Sequence, residues 1–150
     1  MPGRTIQTNR FGEIEVGDKK LLYFEEGLLG FRYFRHYALI ESANSPDYFF
    51  WLQSTEKPDL SLLVTDPKWW FPDYELSIPP RVCSQIGTTS QEDIAVLVIL
   101  NTRRPPDVTA NLQAPLLVNP ENGRGMHVNI HNKRYTTRHP IRGLSPEQFS

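Results

Sequence analysis

The sequence predicts an all-β fold, a small antiparallel barrel-like domain with at most short helical segments, and three observations carry that prediction. Short runs with strand composition recur along the chain, and one of them, Phe11 to Val16, alternates apolar and polar residues as a strand with one buried face requires. Turn-forming residues separate those runs roughly every 8–15 positions, the spacing of a sandwich or barrel. The 13 prolines each remove a backbone donor, so they belong in loops, edges and bulges. Helical stretches are too few and too short to cover both faces of a parallel sheet.

The elements follow in order. Thr5 to Thr8 reads as a short strand. Phe11 to Val16 alternates clearly, with Ile14 and Val16 on one face and Glu13 and Glu15 on the other. Gly17-Asp18 then predicts a hairpin turn into a strand over Lys19 to Phe24. Gly27 and Gly30 bracket Leu28 and Leu29 before Phe31, which predicts a tight bend with an apolar tip to bury. Tyr37 to Glu41, Tyr48 to Gln53 and Leu60 to Thr65 are further strands, the middle one rich in aromatic residues. Tyr74 to Ile78 reads as a short edge strand.

Residues 81–92 hold the one credible short helix in the middle of the chain, and Ser90 is placed to cap a few helical residues. Ile94 to Leu100 is the best core strand, and Asn101 to Asp107, with two arginines and two prolines, reads as a loop. Leu116 to Val118 and Met126 to Ile130 flank Asn122-Gly123, the clearest hairpin signal, since both residues tolerate positive φ. The expected domain spans residues 1–141, with a polar, flexible tail over 142–150.

Bulk properties narrow the function. A net charge of −1 gives no global attraction to nucleic acid or anionic lipid. The longest apolar block, Ile94 to Leu100, is far short of the roughly 20 residues of a membrane helix. One cysteine, Cys83, excludes an internal disulfide framework and fits a reducing compartment. With no apolar run at its start, the chain reads as a cytoplasmic monomer or small homo-oligomer. Charge is uneven: residues 1–75 carry 8 basic and 12 acidic groups, residues 76–150 carry 8 and 5.

No catalytic or cofactor constellation stands out. His127, Asn129 and His131 fall on one face of a predicted strand, but imidazoles four residues apart there sit about 13 Å from each other. That is too far for ready sharing of one metal with bonds of about 2 Å. Cys83 has no flanking activator and reads as a small buried hydrophobe. Asp66 and Asp73 bracket Trp69, Trp70 and Phe71, each beside a proline (Pro67 and Pro72), where aspartate fixes turns. The glycines at 27 and 30 do not make a dinucleotide loop. Three consecutive aromatics cannot all share one strand face. Trp69, Trp70 and Phe71 are therefore either interface anchors or plugs at the end of the barrel, and both readings stand. Base stacking is disfavoured, because Lys68 alone is basic among Asp66, Asp73 and Glu75.

An ordered set of motifs adds to this reading: Phe11 to Ile14, Tyr23 to Phe31, Phe50 to Ser54, Val64 to Pro67 and Phe71 to Tyr74. Ile94 to Ile99, Thr109 to Leu112 with Asn111, Ala114-Pro115, Val118 to Pro120 with Asn119, and Tyr135 to Pro140 follow. Over residues 5–141 the chain resembles the flagellar assembly factor family, FliW. That resemblance implies a non-enzymatic, cofactor-free cytoplasmic regulator with a small β-barrel-like fold. Members bind the translational repressor CsrA, relieving repression of flagellin synthesis, and also bind flagellin, with no direct contact to nucleic acid. A flagellin chaperone without regulator binding is the alternative. The chain departs from the family pattern at Glu26, at Trp69-Trp70 and in the basic 101–107 stretch. The candidate partner surface comprises Glu13, Glu15, Asp18, Glu25 and Glu26, which would face a basic repressor. Trp69, Trp70 and Phe71 are the candidates for flagellin.

Overall fold

The computed structural model describes residues 3–141 except Pro46, Pro105 and Pro106. The predicted tail over 142–150 lies outside the described residues. Among them, no helix is long and apolar enough to cross a membrane.

Two strands form a ribbon of their own, β1 (Arg4–Thr8) and β2 (Gly12–Val16). The barrel wall uses β3 (Leu21–Phe24), β4 (His36–Glu41), β5 (Phe49–Ser54) and β6 (Ser61–Thr65). It continues with β7 (Ala95–Arg104), β9 (Leu116–Asn119) and β10 (Arg124–His127). β8 (Asp107–Ala110) and β11 (His139–Pro140) extend the sheet beyond β7. Pairing runs from β3 through β4, β5, β6 and β7 to β9 and β10, and β10 returns to β3, closing seven strands. Closure pairs β3 with β10, the two strands that would otherwise edge an open sheet.

All ladders are antiparallel except the closing seam, where Arg124 and Gly125 run parallel to Tyr23 and Phe24. That seam needs a glycine. A Cβ on Gly125 would meet the Phe24 ring at 2.6 Å and the Leu117 carbonyl oxygen at 2.9 Å.

Alternation along the strands produces two packed faces. One cluster unites Leu22, Phe24, Leu52, Val64, Leu97 and Leu116 across the barrel strands. On a second, Phe49, Leu63, Val98 and Leu100 are covered by Tyr74, Leu112 and Tyr135 from the long connections. The helix α1 (Pro80–Gln85) lays Val82 and Cys83 over Leu117 and Ile94, so β9 is buried on both faces. The β1–β2 ribbon covers Ala38 with Ile6 and Val16.

Several expectations hold at the local level. The Asn122-Gly123 turn joins β9 to β10, with Gly123 at φ 72°. Residues 81–92 supply both a short helix and a 3-10 turn (Gln91–Asp93) whose Ser90 side chain accepts from the Glu92 N–H. Cys83 is buried.

Others are corrected. The Gly17-Asp18 hairpin does not form: Gly17 is extended at φ −66° and Asp18–Lys20 make a 3-10 turn that hands the chain to β3. The ribbon turns earlier instead, at residues 9–11, where the Thr8 hydroxyl accepts from the Phe11 N–H and donates to the Gly12 carbonyl. The predicted loop over 101–107 is largely strand, since β7 continues to Arg104 and β8 begins at Asp107. The predicted strand over Met126 to Ile130 ends at His127, and His131 adopts φ 52°. His127, Asn129 and His131 therefore share no strand face. Tyr74 to Ile78 is not a strand either, because side chains take up its polar backbone, as described next.

Candidate functional site

The stretch from Asp66 to Pro79 leaves the barrel wall after β6 and crosses its outer face. Asp66 starts it as a cap: its carboxylate accepts from the Lys68 N–H at 2.9 Å, and Pro67 opens a 3-10 turn (Pro67–Trp69). Proline suits that first position, having no N–H to satisfy. The turn splits the aromatic trio. Trp69 is 56% exposed and meets the exposed Tyr48 ring edge-on at 4.8 Å. Trp70 turns inward, stacked on Phe49 at 5.5 Å, with its indole N–H donating to the Thr65 hydroxyl at 3.0 Å. That hydroxyl donates in turn to the Tyr48 carbonyl at 2.6 Å. Phe71 packs against the same core and meets His139 edge-on at 5.0 Å. So the block both plugs and protrudes, and Trp69 is the member that presents a ring outward. Asp73 is exposed beside the exposed Pro72.

Beyond Asp73 the backbone is held by side chains. The Tyr74 hydroxyl donates to the Leu112 carbonyl at 2.7 Å, and burial raises its pKa well above the usual phenol value. The Tyr135 hydroxyl accepts from the Glu75 N–H at 3.0 Å. Gln91 bridges the rest, accepting from the Ile78 N–H and donating to the Leu76 carbonyl. Between this segment and the start of β7 lies a cleft of about 460 Å³ lined by Asp66, Lys68, Glu75, Leu76, Ile94 and Val96, among others.

The five candidate acids are all exposed, but they do not form one patch. Glu13 and Glu15 project from the outer face of the ribbon, with Glu13 accepting from the Gln7 amide at 3.1 Å. Asp18 follows in the 3-10 turn before β3. Glu25 and Glu26 lie past the other end of β3, whose four residues span about 13 Å.

The bend after Glu26 is built as its glycines demand. Gly27 has φ 68°, and a Cβ there would meet the Arg32 carbonyl oxygen at 2.5 Å. Gly30 has φ 89°, Leu28 is buried, and Phe31 packs against the Leu28 cluster. His127 clamps the tip: the Leu29 N–H donates to Nδ1 at 3.0 Å, and Nε2 lies 3.0 Å from the Ala114 carbonyl. Nδ1 must therefore be bare and Nε2 protonated. Burial lowers the His127 pKa, against a smaller upward pull from the Ala114 carbonyl. The sequence showed His127 only as part of a histidine pair; nothing local points to a bond with Leu29, 98 positions away. The remaining motif residues stabilise connections. Asn111 accepts from the Ala114 N–H, Asn119 donates to the Ile86 carbonyl, and the Pro115 carbonyl accepts from Val128. Pro120 stands exposed just after β9.

Among the described residues no three histidine, cysteine, aspartate or glutamate side chains are grouped to hold a metal. The arrangement offers instead an exposed ring, a ribbon face with two outward glutamates and a cleft.

The family model described as "FliW protein" matches residues 5–141. The chain belongs to the FliW family. A flagellar assembly factor FliW of Leptospira biflexa is 39% identical over 140 residues, covering 91% of this chain and 90% of that protein. The FliW of Syntrophotalea carbinolica is 37% identical, covering 92% and 97%. A crystal structure of the flagellar assembly factor FliW superposes with a TM-score of 0.81 at 34% identity, covering 91% of this chain and 96% of that one. The barrel, with one short α-helix among the described residues, is thus the FliW fold. The ordered motifs that suggested this family lie mostly in strands and in the turns that join them.

Proposed function

We propose that this FliW-family chain works in the cytoplasm by occupying protein partners, without catalysis or cofactor. One partner is the translational repressor CsrA, whose hold on flagellin synthesis it relieves; the other is flagellin, whose level it thereby couples to synthesis. Its effect on messenger RNA is indirect. Family membership over residues 5–141 is the observation that carries this reading. The exposed acids Glu13 and Glu15 on the ribbon and Asp18 in the turn that follows it support a meeting with a basic protein. The protruding Trp69 supports an apolar contact with a flagellin segment.

Because β3 separates the acids into two groups, they are tested separately. Purified CsrA is titrated into E13K/E15K/D18K and into E25K/E26K, both expected to fold, since every altered side chain is exposed. Affinity is expected to fall by about ten-fold or more in at least one of them. Two folded variants with unchanged affinity would overturn the acidic-surface mechanism. The flagellin contact is tested with Trp69→Ala, which is expected to weaken flagellin binding by about ten-fold while leaving CsrA binding intact. Titration with both partners together separates a regulator from a chaperone: the regulator requires that each partner changes the binding of the other.

A further inference from the structure

The barrel leaves part of one strand without a partner. On one side β7 pairs β9 through Ala95, Val96 and Leu97, and β8 from Leu100 onward. On its other side β6 reaches only Ile99 and Val98. The residues that would continue that ladder are Asp66 and Pro67, which turn away into the 3-10 turn.

Antiparallel strands bond alternately to left and right, so the direction of Val96 follows from its neighbours. The Asn111 N–H donates to the Ile99 carbonyl at 2.9 Å, which points Ile99 toward β8. On β9, the Pro115 carbonyl accepts from Val128 on the β10 side. Leu116 and Val118 therefore bond toward β7, to Leu97 and Ala95. Both observations fix the same parity: the N–H and C=O of Val96 point away from β9, into the space β6 has vacated. Among the described residues no hydrogen bond reaches either group. This space is the 460 Å³ cleft.

The cleft has the features of a strand acceptor. Its far wall, Glu75 to Ile78, is pinned by Tyr135 and Gln91 rather than by β7, so it does not fill the gap. Leu76, Ile78 and Ile94 give it an apolar lining. Its lining carries three carboxylates, Asp66, Glu75 and Glu92, against one ammonium, Lys68, which donates to the Pro72 carbonyl at 3.5 Å.

We infer that this cleft docks an extended segment of a basic protein, which continues the line of β6 and bonds the open N–H and C=O of Val96. The segment carries aliphatic side chains toward Leu76 and Ile94 and lysine or arginine toward the three carboxylates. Main-chain bonds supply affinity in this mode and the alternating side chains supply selectivity. The open edge accommodates three or four residues, a length of about 10–13 Å. The inference stands apart from the regulator and flagellin reading, since neither partner is needed to test it.

The probe is a capped hexapeptide of alternating lysine and valine, followed by amide hydrogen exchange and nitrogen-15 shifts. In the free protein the Val96 amide is expected to exchange about ten-fold or more faster than that of Val98. Saturating probe is expected to slow it by a similar factor and to shift Leu76, Ile78 and Glu92. The E75K/E92K variant, altered only at exposed side chains, is expected to weaken the probe about ten-fold while Val96 still exchanges fast. Equal protection of Val96 and Val98 in the free protein overturns the open edge. Equal binding of a glutamate–valine peptide overturns the basic partner. Shifts confined to another surface overturn the site, and protection that rises with protein concentration alone makes the occupant a second copy.

Discussion

The bend at residues 25–34 and the segment at 66–79 both interrupt the barrel wall, yet they dispose of their backbone groups in opposite ways. The bend closes on itself. Gly27 donates to the Phe24 carbonyl, Phe31 and Leu28 exchange bonds, and Phe24 accepts the returning chain by donating to Arg35. Its exposed tip is then fastened by His127. Among the described residues, the 66–79 segment makes backbone bonds through the N–H groups of Trp69, Trp70, Phe71 and Tyr74 and through the Pro79 carbonyl that starts α1, and between them Glu75, Leu76 and Ile78 rely on Gln91 and Tyr135 side chains. It leaves the neighbouring strand edge open. A turn satisfied by its own backbone depends on φ angles and tolerates few residue types. A segment satisfied by distant side chains depends on those side chains and keeps a cleft beside it.

Gly27 is where this difference shows most strongly. Its φ of 68° and the 2.5 Å approach of the Arg32 carbonyl to any Cβ leave no relaxed place for a branched side chain. Gly27→Val is expected to destabilise the fold by about 3 kcal/mol or more, read as a shift in the denaturant midpoint. A loss below about 1 kcal/mol would mean that the bend can reopen, and the contrast with 66–79 would fail.

The matching change in the other region is smaller. Tyr74→Phe keeps the ring in the core but removes the donor to the buried Leu112 carbonyl. The expected cost is about 1–2 kcal/mol. It should also speed exchange of the Glu75 amide, which donates to the hydroxyl of Tyr135, the ring packed on Tyr74, while leaving Gly27 unaffected. Uniform acceleration across both regions would show that they unfold as one unit.

These contrasts also explain what could be read from the sequence. Hairpins whose turn chemistry is local were legible: Asn122-Gly123 and the 27–31 bend follow from φ preferences alone. Gly17-Asp18 carried a similar signal but lost to Thr8, whose hydroxyl closes an earlier turn. Tyr74 to Ile78 has the composition of a strand and is not one, because strand identity also needs a paired neighbour. That neighbour is replaced by Gln91 and Tyr135, the latter 60 positions from Glu75. The same non-locality hid the open edge of β7, since Ile94 to Leu100 reads as a uniform core strand. Of the aromatic block, the sequence established only that the rings must divide. Which ring protrudes was set by the turn that Asp66 and Pro67 begin.

The His127 clamp gives the closed bend a dependence on pH. Nδ1 accepts the Leu29 N–H, so a proton placed on Nδ1 ends that bond. Glu26 and Arg32 line the space around the ring with opposite charges, and burial lowers the His127 pKa from its ordinary 6.5. The unfolded chain therefore binds this proton more tightly than the folded one. The stability linked to His127 is complete above about pH 6.5 and is lost as pH falls through the lowered folded value, with a slope of at most about 1.4 kcal/mol per pH unit. His127→Gln can keep both bonds, its carbonyl accepting from Leu29 and its amide donating to Ala114, without titrating. The denaturant midpoint is expected to fall further between pH 7.5 and 5.5 in the parent than in the variant. The Leu29 amide should lose protection in the parent at the lower pH while Glu75 keeps it. Equal slopes in the two proteins would detach the bend from His127 and leave its own backbone bonds as its sole support.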